Sequence, residues 1–585
     1  MTDNTDITGD TDLTKGWDVV FAVRYNALNT AIRNTYKTKP ESMPGKFSGN
    51  THGKLGSSEV VGSWGAWQIT TGGSGIYIQM NCPIAAGWYN GDTLDLTGYT
   101  VVIRVQLDFF EHKTEDDTSL KQELKLRLDK SDPNNPPVVI VTILDPQGHA
   151  MDAGDAGMLE GPFKAWFTDN LVLFDHVFCT ADTTETESTA DGLYWLKPSF
   201  TACAAAEPTA MTGLTQEQIM DQSVFAVLHT IEGRKPAGLA AEIDLNAIPM
   251  GKNAAFSLSN ACFLRHFIEP ALPFLFQIDT SQCTDKVAVA RLLREFGENF
   301  EVVNDGKEIS NKRNLSLPPM SLPEDAGNKV VHPDIKAGDF SIEVDGQVLR
   351  VTFTNMHYEY SAGIDVYLTY QSELMLSMKD KRLQLTETKR SIKGQVTKST
   401  LVSWFQIAGG IALGIILIPI GGALGKAIGG AISGAVSGAA EGVGDEAGQL
   451  LIPATEAGIG DLAGTAARDA ELAEQEAAQA AAEETNAIVA GALRVARSVS
   501  GYFKSNVAKI LGSMAAAGVG GTVAATPDIM GAIANKDLSN IPDLTKFSKE
   551  VLFNISWADA SNFEPDCAEL HDALQISGNV TVMVA

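Results

Sequence analysis

Residues 100–112 read "TVVIRVQLDFFEH". Val101, Ile103, Val105, Leu107 and Phe109 alternate with Val102, Arg104, Gln106 and Asp108. Successive side chains of a strand point to opposite faces, so the period of two gives a strand apolar on one side and wet on the other. Leu124, Leu126 and Leu128, set between Glu123, Lys125, Arg127 and Asp129, repeat the pattern. Half-buried strands of this kind build antiparallel sheets.

Working outward, the same alternation covers about residues 46–200. It returns at Phe340, Ile342 and Val344, which run into Asp345-Gly346, a hairpin signal, with Leu349, Val351 and Phe353 leading away. Ile364, Val366 and Leu368 continue it, as do Val551, Phe553, Ile555 and Trp557, then Val580, Val582 and Val584. Helices are expected between these regions. "GWDVVFAVRYNALNTAIRNTY" at 16–36 places Trp17, Val20, Phe21, Arg24, Leu28 and Ile32 at helical spacing. Further helices are expected near 215–230 and 254–275. Residues 1–15, with four aspartates in the first dozen positions, read as a disordered acidic tail without the apolar core of a signal peptide.

Between the last two strand regions lies a segment of different composition, 390–537, rich in Ala and Gly. Its stretch from Ser399 to Gly425 carries no charge, which is long enough for a membrane span. Pro419 and the following glycines break it, and glycines at every fourth position suit two closely packed helices. The expectation is a self-packing helical hairpin. Residues 441–485 then hold eleven acids and one base, a solvated helical segment. Over 485–512 Arg494, Arg497, Lys504 and Lys509 fall on one side of a helical wheel, opposite an apolar face. Such a helix docks on a soluble core or lies in a membrane interface. Trp404, Phe405, Ile415 and Leu417 of the hairpin, with those four bases, are the candidates for conditional membrane contact.

The 585 residues exceed one compact core, and 44% apolar composition suits folded domains. With 72 acids against 44 bases the net charge is −28, which disfavours nucleic acid as a partner. The six cysteines form no CxxC pair, and the nine histidines form no metal-binding spacing, so no metal or cofactor is expected. Asp175, His176 and Cys179 are near neighbours, but a strand would turn 176 and 179 to opposite faces. Gly72, Gly73, Ser74 and Gly75 lack the lysine of a phosphate-binding loop and read as a hairpin turn. Asp152, Asp155 and Glu160 miss the calcium-loop pattern. No enzyme is implied.

Four stretches carry a resemblance: "GWDVVFAV" at 16–23, "WQITTGGSGIYIQMNCPI" at 67–84, "AAFSLSNACFLRHFIEPAL" at 254–272 and "DALQISGNV" at 572–580. Together they resemble the forty-seven-kilodalton accessory-protein family encoded beside orfX-type clostridial neurotoxin genes, a branch of the tubular lipid-binding (TULIP) superfamily. The resemblance implies an elongated α+β fold, with long apolar helices wrapped by curved antiparallel sheets. It implies two TULIP-like modules, here 16–245 and 246–389 joined by 538–585, with 390–537 as a helical insertion. It also implies a lipid or other hydrophobic ligand, and protein partners in a toxin or secreted complex. Release from the cytoplasm would follow a non-classical route. Trp17, Val20, Phe21, Leu28, Phe263, Phe267 and Leu272 are the ligand-lining candidates. Two alternatives stand beside this reading: a toxin component that inserts the 401–440 hairpin into a membrane, and a structural chaperone whose seam is closed by its own side chains.

Overall fold

The computed structural model describes residues 12–398, apart from breaks at 54–55, 113–119, 133–134, 184–193, 210–212, 270–271, 277–285, 318–319, 322–329, 362–363 and 380, together with 416–420 and 544–582. Within these bounds the fold is α+β, with most of the chain in antiparallel sheets.

The central sheet has six strands in the order Phe200–Ala206, Val224–Thr230, Val19–Arg24, Ala254–Ser259, Ala573–Val582 and Ala560–Leu570. All six residues of Val19–Arg24 are buried. Val19, Phe21 and Val23 face the main core with Phe225, Val227, Phe256 and Leu258. Val20 and Ala22 face a smaller core with Ala204, Ala226, Leu228 and Ala255.

This strand corrects the expected helix over 16–36, for the helix spans only Tyr25–Thr38. A continuous apolar run buried on both faces satisfies helical and strand periodicities alike, and here sheet pairing wins. The other expected helices divide in the same way. Gln216–Gln222 is helical, started by a capping box on Thr215, but Val224–Thr230 is a strand. Ala254–Ser259 is a strand, after which the Ser259 hydroxyl caps Asn260–Phe263 and a π-helical turn spans Leu264–Ile268. Conversely, Val551 and Phe553, expected on a strand, lie in helix Leu544–Asn554, and the strand is only Ile555–Trp557. The expected acidic tail also ends sooner, since Leu13 and Thr14 are buried.

A ten-stranded sheet runs Lys46–Gly53, Gly56–Trp64, Tyr77–Tyr89, Thr100–His112, Lys121–Leu126, Cys179–Asp182 and Ile555–Trp557, with three further strands paired alongside. The alternation at 101–109 is realised: Val101, Ile103, Val105 and Leu107 are buried while Arg104 and Asp108 are exposed. Val102, on that same face, is buried as well, and the polar exception is Gln106. It is buried, and its side-chain oxygen accepts from Arg127 Nη1 and Asn135 Nδ2, each at 3.1 Å. Helix Ala153–Asn170 packs against Lys46–Gly53, Gly56–Trp64 and Val138–Leu144, seating Phe163 5.5 Å from Phe47 and Trp166 5.2 Å from Trp64 between ring centres. Gly49 permits this approach, because a Cβ there would lie 2.3 Å from the Pro162 carbonyl oxygen.

A nine-stranded sheet holds Phe300–Val303, Glu308–Asn311, Phe340–Asp345, Val348–Ser361, Ile364–Lys379, Arg382–Lys398 and Ile416–Ile420, with two short strands at its side. The hairpin expected after Val344 forms with Asp345 opposite Val348, and Gly346 supplies the left-handed residue at φ +58°. Two parts of the expected helical insertion are corrected here. Residues 390–398 finish a strand, and Ile416–Ile420 pairs antiparallel with Arg390–Gly394. A β-branched, apolar pentapeptide suits an edge strand, where Pro419 is tolerated. The rest of the Gly-rich hairpin and the basic amphipathic segment lie outside the described residues. Among those described, no helix is long and apolar enough to cross a membrane.

Candidate functional site

The seven expected ligand-lining residues are divided by the central sheet. Trp17 and Val20 lie in the smaller core. Phe21, Leu28, Phe263, Phe267 and Leu272 lie in the main core. None is more than 3% exposed. Phe21 meets Phe256, Trp557 and Phe563 at ring-centre distances of 6.1, 5.9 and 5.5 Å, so chain from both termini closes around it. Phe263 and Phe267 pack on each other at 5.7 Å. Of the membrane-contact candidates, Leu417 belongs to strand Ile416–Ile420; Trp404, Phe405, Ile415, Arg494, Arg497, Lys504 and Lys509 lie outside the described residues.

The smaller core is roofed by the irregular chain between residues 231 and 253, and polar side chains fasten that roof. Trp17 Nε1 donates to the Ala240 carbonyl at 2.9 Å. Arg24 donates to the carbonyls of Gln222, at 2.5 Å, and Ile248, at 2.6 Å. Burial pushes its guanidinium down to about 10. Asp18 accepts from Ile231 N and from Arg234 Nε at 3.0 and 2.8 Å. Gln575 donates to the Asn246 and Ala247 carbonyls from the far end of the chain.

The glycine stretch expected as a hairpin turn is mostly strand: Gly72, Gly73 and Ser74 finish Gln68–Ser74 across a register irregularity after Thr70, and only Gly75 and Ile76 make the connection to Tyr77–Tyr89. Its amides do cradle a carboxylate, and the carboxylate is the protein's own. Glu207 accepts from Gly72 N and Gly73 N, both at 2.6 Å, and from Tyr25 Oη at 3.2 Å. Burial raises the Glu207 carboxyl, and those hydrogen bonds oppose the rise. Nothing in the sequence pairs residues 72 and 207; strand Phe200–Ala206 brings them together, through the bridge between Gly75 and Ala205.

Asp175, His176 and Cys179 form no nucleophilic pair. Burial drives the Cys179 thiol well up and the His176 imidazole down to about 4, so neither carries the charge that a thiolate–imidazolium pair requires. His176 Nδ1 lies 3.0 Å from Thr35 Oγ1, and the ring stands edge-on to Phe178 at 4.8 Å. Asp175 instead binds Lys125 Nζ at 2.7 Å. In the acidic stretch, Asp152 caps helix Ala153–Asn170, accepting from Gly154 N and Asp155 N.

One site escaped the sequence reading altogether. Where strands Thr100–His112 and Lys121–Leu126 end, a surface cavity of about 250 Å³ opens between Glu111, His112, Lys121, Gln122, Thr183 and Ser199, with Leu120 at its edge. His112 lies directly across from Lys121, and Glu111 across from Gln122. Thr183 is held there by its hydrogen bonds to the Leu120 carbonyl, and Gln122 by its contact with Thr201. The lining comes from four separated segments of chain, so no local motif announces it.

The OrfX-like family model (Protein OrfX2/OrfX3/P47) matches residues 14–443 and 469–578. Protein OrfX3 of Paraclostridium bifermentans is 24% identical, with 97% of this chain and 98% of that one aligned. Protein P47 of Clostridium botulinum (strain Kyoto / Type A2) is 22% identical over 44% of this chain and 55% of its own. The crystal structure of P47 of Clostridium botulinum E1 aligns over 97% of this chain and 99% of its own, with a TM-score of 0.50 at 14% identity, a likeness of fold. The family match covers most of the sequence, and the chain belongs to the OrfX-like family of OrfX2, OrfX3 and P47 proteins.

Proposed function

We propose that the protein is a non-enzymatic accessory component of a toxin complex and that it works by holding a protein partner. The resemblance to accessory proteins encoded beside clostridial neurotoxins supports the setting. The observation that carries the mode of action is the packing of the seam: the seven residues expected to line a ligand groove are at most 3% exposed and pack as core. A protein whose seam is filled by its own side chains has its outer surface to offer. The two modules, 16–245 and 246–389 with 538–585, would then meet on the central sheet, where Val19–Val23 pairs with Ala254–Leu258.

The test is co-expression of the tagged chain with the products of its neighbouring genes, followed by size-exclusion chromatography. A co-eluting complex is expected. Carriage of lipid along Phe21, Leu28, Phe263, Phe267 and Leu272 would require those side chains to part. Lipid extracted in stoichiometric amount from the purified protein, with no partner recovered, would overturn the proposal in favour of that reading. Dye release from liposomes would favour insertion of the 401–440 segment instead.

A further inference from the structure

Among the described residues, those lining the cavity beside His112 and Lys121 are almost all hydrogen-bonding groups, and their existing partners determine what they have left to offer. Gln122 Oε1 accepts from Thr201 Oγ1 at 2.6 Å, which leaves the amide nitrogen as a donor. Ser199 Oγ accepts from Gly233 N at 2.7 Å, which leaves its hydroxyl hydrogen to give. Thr183 Oγ1 donates to the Leu120 carbonyl at 2.7 Å, which leaves its lone pairs to accept. Lys121 adds an ammonium donor, and Glu111, which has interactions of its own, brings a negative charge to the wall. His112 Nδ1 is 3.2 Å from Glu123 Oε1, so that ring is held in place by its own strand pair.

This set selects among ligand classes by elimination. A simple anion would meet the Glu111 carboxylate, and a simple cation would meet Lys121. An acyl chain would strand half a dozen polar groups away from water, at a cost of about 1–3 kcal/mol for each. A neutral polyhydroxylated ring is what remains, because each hydroxyl both gives and takes a hydrogen bond. The volume agrees. At roughly 30 Å³ per water, about eight waters fill the cavity, which is room for one sugar ring and not for a long chain. Exposed Leu120 at the rim supplies apolar surface for the C–H face of such a ring.

We propose that this cavity is a carbohydrate-binding site that takes a single neutral sugar residue, such as the end of a glycan chain. It rests on different residues from the seam, and it can be tested without any protein partner. The experiment applies the full-length chain to an array of mono- to tetrasaccharides. The methyl glycoside of the best-bound terminal sugar is then titrated by calorimetry against the parent, Ser199→Ala and Lys121→Met, with thermal melting as a check on folding. The expected result is a terminal-sugar preference on the array and affinity about tenfold lower in each variant at unchanged melting temperature, the loss of one ligand hydrogen bond. An array without a bound sugar overturns the proposal, as does a bound sugar indifferent to both substitutions. Saturable binding of inorganic phosphate that is abolished by Lys121→Met, with no sugar competing, overturns it in favour of an anion site. If a variant melts early, saturation-transfer NMR on the parent chain with the same glycoside decides: no transfer overturns the proposal.

Discussion

Asn29 and Ile69 are joined by two hydrogen bonds: Asn29 Nδ2 donates to the Ile69 carbonyl at 2.9 Å, and Ile69 N donates to Asn29 Oδ1 at 2.7 Å. A side chain on helix Tyr25–Thr38 thereby behaves as one residue of a neighbouring strand for Gln68–Ser74. Both partners are buried. Asn29→Ala leaves one peptide N–H and one C=O unpaired, and unmet buried groups cost about 1–3 kcal/mol each. Urea unfolding of Asn29→Ala should therefore show a loss of about 2–4 kcal/mol, with Asn29→Asp recovering only the N–H partner.

Arg24 makes the parallel case on the other side of the sheet, because its guanidinium is the common donor to the roof over Val20 and Ala22. Arg24→Met keeps the length and removes the donors. The expected outcome is a loss of about 2–4 kcal/mol, from carbonyls left without their charged donor. Proteolysis of the 231–253 chain should quicken by more than global stability predicts. Equal cleavage rates in parent and variant would show that Trp17, Asp18 and Gln575 hold the roof unaided.

His176 gives a pH dependence with a definite sign. Its folded value, about 4, lies below the ordinary 6.5, and the cause is burial, partly offset by Asp175. His176 Nδ1 shares a hydrogen bond with the Thr35 hydroxyl, which also reaches the Ala31 carbonyl, and burial keeps the imidazole neutral in the fold. Between pH 6.5 and 4 the unfolded chain takes up a proton that the folded chain refuses. Stability is fully present above 6.5 and falls through that window by about 3 kcal/mol. His229, pushed down to about 3 by burial, adds in the same direction. Urea midpoints at pH 7, 5 and 4 should show a shallower acid loss in His176→Phe than in the parent. An unchanged slope would assign the acid limb to other groups.

How much of this was legible depended on whether one face of an element meets water. Thr100–His112 could be read residue by residue because Arg104 and Asp108 are wet. Val19–Arg24 could not, because both its faces are dry and its one polar residue, Arg24, stands at its end and is itself buried. Helix Ala153–Asn170 was missed for a different reason: Gly154, Gly157, Gly161 and Pro162 look like loop. Yet Leu159, Phe163, Trp166 and Phe167 hold the helical spacing and Asp152 the cap, and that signal was available. The seam residues were legible as buried, but not as divided between two cores, since that division is made by pairing with strands more than 200 residues away. The cavity at Lys121 was not legible at all.

Gly73 tests the internal carboxylate cradle. A Cβ there would stand 2.5 Å from Tyr25 Oη and 3.2 Å from Glu207 Oε1. Neither group can withdraw without breaking the hydrogen bonds that hold the glycine stretch. Gly73→Ala should cost about 1–3 kcal/mol, the range for overpacking. Gly91→Ala is no equivalent control, since Gly91 itself has φ +75°; Gly157→Ala, with open space around its Cβ, is. Gly157→Ala should be neutral or stabilising, being an exposed helix position. Thermal melting of the two variants side by side would separate crowding from any general effect of the added methyl group.

The central sheet makes the strongest demand on the chain as a whole. Val19–Arg24 is flanked by Val224–Thr230 and Ala254–Ser259, and Ala254–Ser259 is in turn covered by Ala573–Val582. A fragment of residues 16–245 bares one edge of its central strand, and a chain ending at residue 543 bares Ala254–Ser259. The latter also removes Trp557 and Phe563 from around Phe21. Open apolar strand edges aggregate, and loss of two aromatic rings from a closed cluster costs about 3–5 kcal/mol for each ring. Both fragments should be insoluble, or bind a hydrophobic dye and melt without cooperativity. Residues 1–398 and 538–585 expressed together should co-purify, because the second piece carries both missing strands. Cooperative folding of either fragment alone would mean that it needs no shared sheet, and that the pairing of Val19–Val23 with Ala254–Leu258 joins parts already folded rather than completing them.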